Sequence, residues 1–201
     1  LSQLTQIEKN DPYFRRGDFW RRYSTVGFFD KNMAEDIKPI LENKSDGHLR
    51  DLVLTIIKES QVIEHLTPNL INILFEPNER LDTRRLAMEC LFSLIDVDDI
   101  KILETLISES SNTSLNIAAK GIEFLGANSI DLCILKRFFR ACSNLYPTEK
   151  TSLDDRRLQG NRYFINKLVW TLSAENTERL LNFLTDELTC SCGKEYYECF
   201  C

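Results

Sequence analysis

Residues 46–59 read DGHLRDLVLTIIKE. Leu49, Leu52, Val53, Ile56 and Ile57 fall at i, i+3, i+4, i+7 and i+8, which lines one face of an α-helix, and Asp46 stands where an N-cap belongs. Residues 82–95 (DTRRLAMECLFSLI) repeat the pattern through Leu86, Ala87, Cys90, Leu91, Leu94 and Ile95, with Asp82 as the expected cap. Residues 112–125 repeat it again through Leu115, Ala118, Ala119, Ile122 and Leu125, with Asn112 to cap the helix and Gly126 to stop it.

Working outward, further amphipathic stretches fill the gaps. They are 31–42 (Ile37, Ile40, Leu41), 61–75 (Leu66, Leu70, Ile73, Leu74), 97–109 (Ile100, Leu103, Leu106, Ile107) and 129–142 (Leu132, Leu135, Phe139, Cys142). Two more follow at 159–172 (Ile165, Leu168, Val169, Leu172) and 176–188 (Leu180, Leu181, Leu184, Leu188). Period-two alternation, the mark of a strand, is not found. Pro68 predicts a helix starting near Thr67, with 61–66 as a separate turn, because proline is accommodated best in a helix's first turn.

The helices also repeat. A shift of 34 carries Leu52, Val53, Ile56 and Ile57 onto Leu86, Ala87, Cys90 and Leu91, and Arg50 onto Arg84. A shift of 31 carries Leu86, Ala87, Leu91 and Leu94 onto Ile117, Ala118, Ile122 and Leu125, and a further 47 reaches Phe164, Ile165, Val169 and Leu172. The added length sits in the polar stretch 143–158. Two helices per period of about 30–47 residues predict an all-α fold, a right-handed α-α solenoid of about four helix pairs whose neighbours bury one continuous core. The competing expectation is a non-repetitive helical bundle. The domain reading is a capping segment with an N-terminal helix over 1–29, helical repeats over 30–188 and a Cys-rich element over 189–201.

Composition agrees with this class. The 201 residues include few glycines (7) and prolines (5), which excludes collagen-like chains and disfavours a turn-rich β fold. No apolar run approaches the ~18 residues of a membrane span. The net charge of −6 argues against wholesale coating of nucleic acid. The opening residues carry no secretory signal, which points to the cytoplasm. Leu1 at the start and Cys201 inside a motif at the end lead to the expectation of a piece of a longer protein.

Cys190, Cys192, Cys199 and Cys201 form CxC, six residues, CxC. Four close thiolates call for a cation or for oxidation, and Zn²⁺ satisfies them tetrahedrally in closed structural sites. Gly193 would permit a tight knuckle, although the commoner zinc spacing is CxxC. Soft-metal or iron–sulfur ligation, two disulfides and free thiols stay open. The odd total of seven cysteines and the missing signal disfavour a secreted disulfide framework. Cys90 and Cys142 fall on apolar faces and are expected in the core, while Cys133 lies beside its stripe.

Residues 13–29 read YFRRGDFWRRYSTVGFF. Arg15, Arg16, Trp20, Arg21 and Arg22 are the candidate partner-binding residues, as an aromatic and arginine hot spot for a protein or as phosphate and base contacts. The plainer alternative is that the segment caps the open end of the repeats. Lys136, Arg137, Arg140, Arg156, Arg157 and Arg162 read as solvated faces, and the lone His48 and His65 as surface or cap residues. No GxSxG, HExxH, Gly-rich phosphate loop or Cys–His signature occurs, so no catalytic residue is assigned and no enzyme activity is expected.

The segments DGHLRDLVLTIIKES and LDTRRLAMECLFSLI resemble second helices of HEAT repeats, in which an Asp and an Arg about four residues later can cross-link neighbours. Asp46 with Arg50 fits that spacing, Asp82 with Arg85 fits it loosely, and Asn112 with Asn116 departs from it. More narrowly, PYFRRGDFWRRYS, EDIKPILENK, DTRRLAMECL, SLNIAAKGIEFLG and CSCGKEYYECFC resemble the region C-terminal to the NTPase in bacterial NACHT-type STAND proteins. The resemblance implies a helical-repeat sensor that follows an effector and an ATPase, with a role in antiviral defence. This chain has no GxxxxGK[ST], so ATPase activity does not carry over. The expected function is a recognition or scaffold module with a protein partner and no membrane. A HEAT-like nucleic-acid-binding or DNA-repair protein is the alternative.

Overall fold

Pro68 sets the first boundary. A computed structural model describes residues 29–44, 47–144, 168 and 170–187. In it, Gln61–Leu66 forms a 3-10 turn and an α-helix begins at Thr67 with Pro68 in its first turn, where the missing N–H costs nothing. Among the described residues the chain forms eight α-helices and no strand. It divides into two compact units, Leu1–Asp99 and Ile100–Cys201.

In the first unit, Asp30 accepts a hydrogen bond from the Asn32 N–H (2.6 Å) and opens a short 3-10 turn, Lys31–Met33. Helix α1 (Ala34–Glu42) follows, with Glu35 and Asp36 at its positive end. Then come α2 (Gly47–Ile57), α3 (Thr67–Phe75) and α4 (Leu81–Leu91). Helix α2 buries Leu49, Arg50, Val53, Leu54, Ile56 and Ile57, a wider arc than one stripe, because it packs on both α1 and α4. Helix α4 packs on α2 and α3. The Asp46 cap position lies outside the described residues.

Two expectations for α4 need correction. Arg80, not Asp82, occupies the N-cap position, without a side-chain cap, and Asp82 sits in the first turn. The helix stops at Leu91, where Phe92 N–H bonds back to the Met88 carbonyl. Leu94 and Ile95 therefore leave the helical stripe, and Ile95 is 99% exposed.

Helices α2 and α4 run parallel. Asp51 meets Thr83, the Leu54 carbonyl meets Cys90, and Lys58 meets Glu89 and Ser93, so contacts advance in the same direction along both helices. Two helices joined by a single hairpin would be antiparallel. The intervening α3 returns the chain, so that α4 runs in the same direction as α2.

The second unit contains α5 (Asp99–Glu109, whose first residue closes the preceding unit), α6 (Asn112–Leu125), α7 (Leu132–Asn144) and α8 (Ala174–Glu187). The acidic run Asp96–Asp99 lies at the start of α5, where the helix dipole favours negative charge. Helix α5 turns Ile102, Leu103, Leu106 and Ile107 inward, while Ile100, placed on the stripe by its spacing, is exposed. Ser111 caps α6 in place of Asn112: its hydroxyl accepts from Ser114 N–H (2.9 Å), and the Ser114 hydroxyl accepts from Ser111 N–H (3.1 Å). Gly126 ends α6 at φ +84°, in the left-handed region that a glycine enters without Cβ strain. Asp131 opens α7 by accepting from Cys133 N–H (2.7 Å), and that bond holds its carboxyl below the ordinary range.

Helix α7 packs between α6 and α8 and buries Leu135, Phe138, Phe139 and Cys142. On α8 Leu180 is buried, but Leu181, expected beside it, is half exposed. No helix of the described residues is long and apolar enough to cross a membrane.

Candidate functional site

Both sites singled out in the sequence lie outside the described residues: the cysteines Cys190, Cys192, Cys199 and Cys201, and the segment with Arg15, Arg16, Trp20, Arg21 and Arg22. Of the 13–29 stretch only Phe29 is described, and it is buried. The polar chemistry that the structure does place is a network across the first unit.

Arg50 and Arg84, one repeat shift of 34 apart, are both buried. An isolated buried charge is strongly disfavoured, so each guanidinium needs a partner. Arg50 Nη1 bonds Glu79 Oε2 at 2.8 Å, and both side chains are almost fully enclosed (2% and 6% exposed). Arg84 Nε–H donates to the Leu74 carbonyl at 2.6 Å, which satisfies one of the orphan acceptors in the last turn of α3. Both α2 and α4 thus send a buried arginine to the region where α3 finishes and α4 begins.

Around these arginines the surface charges pair with one another. Asp51 accepts from the Thr83 hydroxyl (2.6 Å) and pairs with Arg80 (3.1 Å). Arg80 reaches it by crossing Gly47, where an added Cβ would lie 2.7 Å from Arg80 Nη1. Arg85 pairs with Asp82 (3.3 Å) and lies 3.9 Å from Glu89, which in turn meets Lys58 (3.1 Å). The loose Asp82–Arg85 match is therefore a contact within one helix, and the cross-links between α2 and α4 run through Asp51 and Lys58. Glu79 is the partner the sequence reading missed. Its only signal is its place at the end of the α3–α4 connection, 29 residues after Arg50.

In the second unit the Asn128 side chain joins two backbone segments. Its amide N–H donates to the Thr171 carbonyl (2.8 Å), and its oxygen accepts from Ser173 N–H (2.8 Å). Ser173 then caps α8 by accepting from Asn176 N–H (3.2 Å). Lys136 and Arg140 lie 4.9 and 5.7 Å from the centre of the Phe183 ring, and Arg137 bonds Glu104 (2.6 Å). The basic residues of α7 are thus engaged with α5 and α8 side chains.

The described cysteines divide as their spacing predicts: Cys90 and Cys142 are buried and Cys133 is exposed. Burial pushes the Cys142 thiol up to about 12, and burial also raises the Cys90 thiol far above its ordinary value of 9.0. The Cys90 thiol donates to the Leu54 carbonyl (3.2 Å) and is chemically quiet. His48 and His65 are exposed. Among the described residues, no three of His, Cys, Asp and Glu are grouped to hold a metal.

Comparison with protein-family models, with curated proteins and with solved structures finds no match to this chain. The geometry of the described residues is that of helices cross-linked by side-chain hydrogen bonds and ion pairs within each unit.

Proposed function

We propose that this chain is a non-catalytic recognition and scaffold module, built as a HEAT-like right-handed α-solenoid and acting in the cytoplasm. The observation that carries the reading is the parallel pair α2 and α4, with buried Arg50 and Arg84 in like positions. Stacked repeats place equivalent helices side by side in this way, and each repeat needs its neighbour to bury its apolar face. A framework whose buried arginines are spent on holding α2, α3 and α4 together suits binding through shape and a few exposed anchors.

The parent protein, on the resemblance of the five segments quoted above, is a NACHT-type STAND NTPase of antiviral defence, with this chain as its sensor. The ligand or partner binds the repeat surface and biases the attached NTPase. Reading the encoding gene upstream of Leu1 tests this: a P-loop NTPase domain is expected, and a gene without one overturns the STAND assignment.

Cys190, Cys192, Cys199 and Cys201 hold a structural Zn²⁺ that fixes the C-terminal element. Elemental analysis of the reduced chain is expected to give about one zinc, lost in Cys190→Ser and in Cys199→Ser. A metal-free chain that folds equally well removes the zinc and leaves the repeats in place. Duplex DNA is expected not to be retained even at low salt, whereas salt-sensitive retention would favour the nucleic-acid alternative.

A further inference from the structure

We draw no further inference here: the strongest candidate, the exposed Trp170 side chain of the second unit, is an apolar surface, and nothing in the structure shows what covers it.

Discussion

Arg50 and Glu79 form the most deeply enclosed ion pair among the described residues, and their value to the fold depends on both being present. Removing one partner leaves a desolvated charge, so Arg50→Ala or Glu79→Ala is expected to cost about 3–5 kcal/mol in denaturant unfolding. Replacing both with apolar residues of similar size is expected to recover most of that loss. The exposed pair Arg137–Glu104 is held in water, and its removal is expected to cost under ~1 kcal/mol. A loss from Arg50→Ala no larger than that from Arg137→Ala would contradict the buried network.

The thiols give a second test at this scale. In the folded protein Cys133 is expected to react with iodoacetamide at pH 8, while Cys90 and Cys142 react only after denaturation, as read by peptide mass spectrometry. Their raised values also set a pH dependence. The unfolded thiols ionise near 9 and the folded ones do not, so the unfolded state loses protons first. Stability is expected to be unaffected by these groups below about pH 8 and to fall above pH 9, by up to about 1.4 kcal/mol per pH unit per thiol. Cys90→Ala with Cys142→Ala should flatten the alkaline limb of the stability curve, and an unchanged slope would argue against buried thiols.

Among the helices, the caps separate what spacing can and cannot decide. Ser111→Ala is expected to cost about 1 kcal/mol in thermal or denaturant unfolding, because it removes the hydroxyl that accepts from Ser114 N–H, while the bond from the Ser111 backbone N–H to the Ser114 hydroxyl stays. Asn112→Ala should cost less, and the reverse order would restore Asn112 as the cap. The sequence SSNTS offers several cap-forming side chains in a row, so periodicity locates the end of α6 only to within a residue. Pro68 left no such freedom, and the boundary at Thr67 was legible. Leu94 and Ile95 show the opposite limit. They continue the apolar phase of α4, but the chain turns at Phe92 and carries Ile95 into solvent, since a period shows where a helix can run and not where it stops. Leu181 departs for a related reason: neighbouring residues of a helix point about 100° apart, so Leu180 is buried while Leu181 is half exposed.

For the whole molecule, the class and the repeat were read from apolar spacing, and the described residues, helical and without a strand, agree with that class. The shift of 34 that aligned Arg50 with Arg84 also marks two residues that prove buried on parallel helices. Their partners were not legible, because Glu79 and the Leu74 carbonyl lie in and before a connection that carries no periodic signal. Asn128 is similar: an Asn in a short turn after a glycine is common, and only the fold brings it to Thr171 and Ser173. The proposed cysteine and arginine sites lie outside the described residues and rest on sequence alone.

The proposed recognition module requires the proposed stacking of helix pairs, and an experimental structure of the full chain tests that most directly. The expected result is successive helix pairs stacked in one right-handed superhelix, with second helices parallel and an open concave surface. A closed bundle, with later helices folded back over α2 and α4, would contradict the solenoid and remove the surface on which recognition depends.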